Sequence, residues 1–325
     1  MRLPAAARSI LDRAVLCYVA ARTPTGPHLT PVVYVLDGGR LWLTTSRSSA
    51  KARAWRRDPA VAGLAGGPDG WVVFRGRVRM YDALDPLSWP AAALGGPRLA
   101  RAATRFSVKN ARFFAGYAVD ARRVPFAWTP PGRVFVSVEL TAGHVLDAGA
   151  VGAGWGEWKG GATARSRSAF EALPPRQALD LRAPAGIRRA LGERGWGALA
   201  LDEDPLTVLP VRFRRVAREA AVDLVIPDQV QALATSPARG RATLTLDHAS
   251  AWRAAAMRGL MLRGAVELFV PSKVRRGRAA VLERLRAVGS DVEPDHAVLA
   301  RLEPDRLVWW EGWSTGTVRR DRGGR

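Results

Sequence analysis

Eight consecutive residues, Thr44-Thr45-Ser46-Arg47-Ser48-Ser49-Ala50-Lys51, hold the densest chemistry in the chain. Hydroxyl donors and two cations stand just ahead of a helical pattern that Pro59 stops. The first amides of a helix have no intrahelical acceptor and present a partial positive charge. Hydroxyls, cations and free amides at one place are what a phosphate needs. Lys51 falls one turn into this helix, where its ammonium can bend back toward a bound anion. The other reading of the segment is a capped surface helix with a solvated lysine.

Other chemistries find little support. His28, His144, His248 and His296 lack metal-ligand spacing, and a single cysteine, Cys17, cannot complete a metal set or an internal disulfide. Cys17 lies mid-strand and reads as a small buried hydrophobe in a reducing, cytoplasmic protein. Nucleophile elbows, Walker loops and dinucleotide glycine patterns do not occur in suitable context.

The elements that must position this segment follow from pattern. Residues 14–21 read as a strand and residues 23–27 as a turn. Strands follow at 28–36 and 40–45, joined by Asp37-Gly38-Gly39. A helix spans 46–58. Residues 71–80 alternate, with Phe74, Gly76, Val78 and Met80 on one face and Arg75, Arg77 and Arg79 on the other. A helix over 101–118 and strands at 134–140 and 144–146 follow.

Much of this order then recurs. Thr30-Pro31-Val32-Val33-Tyr34 is answered by Leu209-Pro210-Val211-Arg212-Phe213, Asp58-Pro59 by Ser236-Pro237, and Phe74-Arg75-Gly76-Arg77-Val78 by Leu262-Arg263-Gly264-Ala265-Val266. Leu140 onward is answered by Leu302 onward. The offsets of 179, 178, 188 and 162 describe a tandem copy that has diverged by insertion. Two copies predict like domains packed as a pseudo-dimer, with a ligand cleft between them. We divide the chain into a first domain at 1–147, a linker at 148–184, a second domain at 185–318 and a basic tail at 319–325. Within each copy, strands joined by tight turns, with a short helix after the third strand and a longer one before the last, predict a mainly β fold. It is a pair of fused barrels with helical cover.

The copies differ where the chemistry lies. Counted back from the helix-ending prolines, Lys51 aligns with Gln229, and the second copy carries Ile226-Pro227-Asp228-Gln229 in place of hydroxyls and cations. Asp228 near a helix start would repel phosphate, so one phosphate site per chain is expected. Trp309, Trp310 and Trp313 could cover a ring by stacking, although packing between domains is the stronger expectation for them. Arg75 and Arg263 are expected on solvated faces.

The net charge of +21 is carried by dispersed arginines, with only four lysines, Lys51, Lys109, Lys159 and Lys273. Such a surface attracts anions by its field without choosing among them. Nucleic acid is not expected as a partner, and without eighteen consecutive apolar residues neither is a membrane span.

Residues 26–34, 41–45, 46–53 and Arg57-Asp58-Pro59 together resemble the pyridoxamine 5′-phosphate oxidase-like, flavin-binding split-barrel family. The resemblance covers about residues 11–146 well and 187–318 weakly. It implies two fused split β-barrels related by internal duplication. It implies an oxidoreductase cofactor, FMN first and the deazaflavin F420 as the alternative, with hydride transfer to or from a small organic substrate. A non-catalytic ligand- or haem-binding protein is the other reading. Haem is less expected, because no histidine follows His296. In the family, the segment of Thr44, Thr45, Ser46, Arg47, Ser49 and Lys51 holds the cofactor phosphate. Ala50 stands where an arginine often precedes the lysine, and Arg47 would substitute from the loop. Thr30, Pro31, Val32 and Val33 match the positions whose backbone lies along the isoalloxazine edge. A fused pair already mimics a homodimer, so either a monomer or a homodimer is compatible.

Overall fold

The computed structural model describes residues 2–119, 122, 129, 132–147, 149–161, 165–235, 237–248, 254–289 and 292–320. Ser236 of the repeated pair and residues 321–325 of the basic tail lie outside them. After helix α1 (Ala5–Arg13), the first sheet is built from β1 (Leu16–Thr23), β2 (Gly26–Asp37), β3 (Arg40–Ser46), β4 (Ala60–Gly67), β5 (Gly70–Tyr81), β6 (Arg133–Asp147) and β7 (Ala150–Trp155). Its order is β3-β2-β1-β4-β5-β6-β7, and a β3–β6 pairing closes the first six into a barrel. Helix α2 (Ala50–Arg57) follows β3. Helices α3 (Trp89–Leu94), α4 (Gly96–Lys109) and α5 (Ala111–Val119) fill the β5–β6 connection.

After α6 (Ala185–Leu191), the second sheet comprises β8 (Arg194–Leu201), β9 (Thr207–Val216), β10 (Ala221–Pro227), β11 (Arg239–His248), β12 (Arg258–Phe269), β13 (Ala297–Glu311) and β14 (Ser314–Arg319). The order β10-β9-β8-β11-β12-β13-β14, closed by β10–β13, repeats the first sheet strand for strand. The single-turn α7 (Asp228–Gln231) stands where α2 does, and α8 (Arg278–Val288) occupies the β12–β13 connection. The protein is therefore mainly β, two closed six-stranded barrels with helical cover. Among the described residues, no helix is long and apolar enough to cross a membrane.

The duplication is legible in local geometry. Register shifts between Arg75 and Gly76 on β5, and between Arg263 and Gly264 on β12. At each bulge a Cβ would run into a carbonyl of the neighbouring strand, Glu139 or Glu303, so both copies keep glycine. Two expected elements differ from the structure. Residues 150–155, assigned to the linker, form β7 and pair with β6. The helix expected at 101–118 is two helices meeting at Asn110.

Leu11, Val19, Leu43, Phe74 and Val136 fill the first barrel, with Cys17 among them. Burial pushes the Cys17 thiol up to about 12, so it stays protonated. Leu29, Ala62, Leu64 and Val73 of the first barrel join the buried cluster that fills the second, so the barrels share one apolar contact. Arg75 and Arg263 lie in that contact, 8% and 3% exposed, rather than in solvent. The alternation separated the two faces of β5 correctly, but the outer face at Arg75 meets protein. Arg75 donates from Nη1 to the Lys159 carbonyl at 2.8 Å and from Nη2 to Thr207 Oγ1 at 2.6 Å. It also donates from Nε to the Leu206 carbonyl at 3.3 Å. Its guanidinium lies 4.0 Å from the Trp158 ring centre. Its counterpart Arg263 reaches the first barrel's β1–β2 turn, donating to Thr25 Oγ1 at 2.5 Å. Thr243 and Thr245 donate to the Pro27 and Leu29 carbonyls, each at 2.7 Å.

Arg75→Ala leaves these carbonyls unpaired and removes the cation over Trp158. We expect a loss of about 2–4 kcal/mol of stability, read by urea unfolding. A change below about 0.5 kcal/mol would mean that the clamp contributes little.

Candidate functional site

A cavity of about 320 Å³ opens where the first barrel splits, within the size range of small-molecule sites. β2 pairs with β3 only between Tyr34–Asp37 and Arg40–Leu43. Toward Gly26 on β2 and Ser46 on β3 the strands diverge. Pro27 and Pro31 fall on this stretch, which still pairs with β1 but no longer with β3, and a residue without a donor suits a strand with one open edge. Thr30, Pro31, Val32 and Val33 line one wall of the cavity, and Thr44, Thr45, Ser46, Ser49 and Lys51 line another. Nine of the ten residues singled out from the sequence therefore meet in one cavity. The tenth, Arg47, does not line it. Its Nη1 sits 2.5 Å from Asp82 Oδ1, and that buried carboxylate also faces Arg56 at 3.4 Å.

Ser49 caps α2, accepting from the Ala52 N–H at 3.0 Å. Thr45 Oγ1 lies 3.1 Å from Ser49 Oγ. The amides of Ala50 and Lys51, first in the helix, have no intrahelical acceptor. The Lys51 side chain sits beside them, and the residue is only 5% exposed. No hydrogen bond or ion pair holds its ammonium among the described residues, and it lies 6.0 Å from the Trp55 ring centre. Burial, with the Arg133 charge adding to it, lowers Lys51 to about 7. A Cys17 thiolate would oppose this, but that thiol is neutral near pH 7. Thr30 Oγ1 is buried as well and has no hydrogen-bond partner among the described residues. A buried cation, free amides and an orphan hydroxyl make a cradle that fits an anionic group.

Several lining residues escaped the sequence reading. His28 lies on the same face of β2 as Thr30, two residues away, and lines the cavity. Burial, then the charges of Lys51, Arg263, Arg306 and Arg53, push it down to about 3, so its imidazole is neutral at physiological pH. Its i, i+2 spacing to Thr30 was the available signal. Arg133 enters from the start of β6, held by Nε–Thr44 Oγ1 and Nη2–Thr44 O contacts of 2.9 Å each. It brings to the cavity a second cation that the local motif lacks at Ala50. Phe113 of α5 adds an aromatic wall.

The opposite wall is the second barrel, through Met257, Val308, Trp309, Trp310, Gly312 and Thr315. Trp309 and Trp310 thus face the cavity, whereas Trp313 packs with the cluster of Val33, Trp42 and Phe106. Trp310 is seated by Gly259 on the neighbouring strand, where any Cβ would strike the indole.

Among the described residues, the equivalent seam of the second barrel lacks this chemistry. Leu43 pairs with Val136 as Leu224 pairs with Ala300, which sets Val225, Ile226 and Pro227 in the places of Thr44, Thr45 and Ser46. Asp228 Oδ1 accepts the Gln229 N–H at 2.6 Å, filling the helix start from within. A cavity of about 200 Å³ remains there, lined by Trp71, Leu146, Pro210, Val225, Pro227 and Val230 among others.

Gly259→Ala should force the Trp310 indole out of place. The expected cost is about 1–3 kcal/mol in thermal unfolding, with altered near-ultraviolet circular dichroism. An unchanged spectrum would show that the ring is not seated by this glycine.

Residues 4–98 match the family model described as pyridoxamine 5′-phosphate oxidase. No curated protein matches the chain. Among solved structures, it is similar to an F420 reductase at 22% identity, over 43% of this chain and 98% of that one, with a TM-score of 0.30. A conserved hypothetical protein from Mycobacterium tuberculosis is 22% identical over 45% of this chain and 86% of that one, with a TM-score of 0.33. A pyridoxamine 5′-phosphate oxidase-related, FMN-binding protein from Nostoc punctiforme PCC 73102 is 19% identical over 45% and 87%, with a TM-score of 0.34. The chain is thus two like closed barrels in tandem, and residues 4–98, in the first of them, are similar to the pyridoxamine 5′-phosphate oxidase family model.

Proposed function

We propose that the seam between β2 and β3 binds a flavin-type cofactor by its phosphate, and that the protein is a cytoplasmic oxidoreductase acting on a small organic substrate. The observation that carries this reading is Lys51, buried and, among the described residues, without a hydrogen-bond or ion-pair partner in the cavity that gathers the other seam residues. FMN is the first choice and F420 the alternative.

A phosphate at the start of α2 would meet the Ser49 hydroxyl, the Ala50 and Lys51 amides and the Lys51 ammonium. Arg133 adds positive field from β6. The β2 backbone from Thr30 to Val33 offers an edge for a planar ring, and Trp309 and Trp310 offer apolar cover that excludes water. When bound, a flavin or deazaflavin supplies hydride transfer, and the protein contributes position, field and dryness. His28, neutral in this setting, can donate one hydrogen bond and accept another. A fused pair supplies both walls from one chain, so a monomer suffices.

The absorbance of freshly purified protein separates flavin, deazaflavin and haem by their bands. Titration with FMN and with F420 then tests the claim. Binding of neither below about 100 μM, roughly −5.5 kcal/mol, defeats it.

Lys51→Met should weaken FMN binding by roughly 1.5–3 kcal/mol while leaving the free protein as stable as before, or more so. An equal loss of stability and affinity would make Lys51 structural.

Affinity should also follow the Lys51 proton. Lys51 titrates at about 7 in the free site, and a bound dianion favours its charged form. Binding above pH 7 must therefore take up a proton, and affinity should fall by up to about tenfold per pH unit there. Below about pH 6 the phosphate itself gains a proton, so the optimum lies at about 6–7. A flat profile between pH 7 and 9 would contradict a contact to Lys51.

A further inference from the structure

The outer face of β12, β13 and β14 carries a row of three arginines. Arg263 stands directly opposite Arg306, and Arg306 directly opposite Arg319. Residues directly opposite one another in antiparallel strands share a face, with Cβ atoms about 4.5–5.5 Å apart. The neighbouring row, Leu262, Leu307 and Val318, packs into the second barrel, so the arginines lie on the outer side. Val308, Trp310 and Thr315 of the cavity wall share that side. Val308 is two residues along β13 from Arg306, or about 7 Å. The row also borders the first barrel. A Cβ on Gly26 would lie 3.6 Å from Arg263 Cδ, and Gly26 is two residues from the cavity-lining His28. The charges of Arg263 and Arg306 both act on the His28 ring.

Like charges set opposite one another are destabilising, and the fold does not require these. At the matching bulge of the first barrel, Arg75 stands opposite Ala142. One arginine is enough there to reach the other barrel. Arg263 repeats that contact through Thr25. Among the described residues, the side chains of Arg306 and Arg319 have no hydrogen-bond or ion-pair partner. Arg263 is 3% exposed, and its Nε and that of Arg306 are buried without an acceptor. The carboxylates that act on Arg263, Asp305 and Asp202, are shared with Arg241 at 2.8 Å and Arg22 at 4.0 Å.

A guanidinium presents a planar fork of donors that matches a carboxylate or a phosphate. Three on adjacent strands offer such forks over about 10 Å, two strand spacings. We propose that Arg263, Arg306 and Arg319 form a second anion subsite at the edge of the seam, and that the small organic substrate is an acid held there by its carboxylate or phosphate. The assignment to the substrate rests on the cofactor reading above; the anion subsite does not.

Isothermal titration of the full chain with citrate and, separately, with inorganic pyrophosphate tests the subsite, one arm for each acid group. Both titrations are repeated in Lys51→Met, which removes the cation of the other anion site and should leave probe affinity within about twofold. Arg306→Gln should weaken probe binding at least about tenfold, and Arg319→Gln at least about threefold. Neither should lower the melting temperature, because each removes a like charge from the row. Arg8→Gln loses the same charge from exposed α1 and should change affinity by less than about twofold. With FMN bound, the probe should perturb the flavin absorbance, and Arg306→Gln should abolish the perturbation. Absence of FMN binding with Arg306-dependent probe binding would defeat the cofactor reading and leave the subsite standing. The subsite is overturned if neither probe binds, if Arg8→Gln costs as much as Arg306→Gln, or if Arg306→Gln weakens FMN as much as it weakens the probe. A probe that binds through Arg306 without disturbing the bound flavin overturns the assignment to the substrate.

Discussion

A cation withdrawn from water costs several kcal/mol unless something charged or polar meets it. Lys51 is in that position: buried in the seam of the first barrel, unpaired among the described residues, and lowered to about 7. The surrounding design makes sense as the setting of this one charge. β2 and β3 part after four residue pairs, leaving room beside it. The α2 helix starts there with its amides directed to the same space, and Arg133 brings further positive potential instead of a counter-charge. A stable barrel alone would have placed an apolar residue at 51. In the function proposed here, an incoming anion resolves the conflict between burial and charge.

Duplication explains how one chain supplies both walls. Each barrel extends an arginine from its bulged strand into the other's first hairpin turn, Arg75 to Thr207 and Arg263 to Thr25. The pair of contacts fixes the barrels so that the β13–β14 hairpin of the second covers the seam of the first. The symmetry is not carried into the chemistry. At the second seam, Val225, Ile226 and Pro227 replace the hydroxyls, and Asp228 satisfies the helix start itself. One half of the molecule has kept the cradle, and the other serves as its lid and its scaffold.

The local parts of this account were legible in the sequence. The hydroxyl run ending at Lys51, the strand from Thr30 to Val33, and the loss of both features in the second copy are all short-range patterns. What failed to show was everything set by the tertiary fold. Arg133 lies more than eighty residues from Lys51 and follows no motif, and Phe113 and Met257 arrive from separate elements. Arg75 and Arg263 were placed on the correct face of alternating strands. Alternation distinguishes two faces but does not say whether water or a second barrel covers the outer one. β4, with the sequence Ala60-Val61-Ala62-Gly63-Leu64-Ala65-Gly66-Gly67, has too few β-branched residues to announce itself and is a strand because its neighbours require one. Arg47 belonged by position to the anion motif but turns to Asp82, thirty-five residues further on.

Stoichiometry reaches the central claim most directly, because it asks about both seams at once. Isothermal titration of the full chain with FMN, near neutral pH, should give one site per chain. Two equivalent sites would contradict the asymmetry between the seams. Heat from dilution alone would contradict the claim that Lys51 is held ready for an anion.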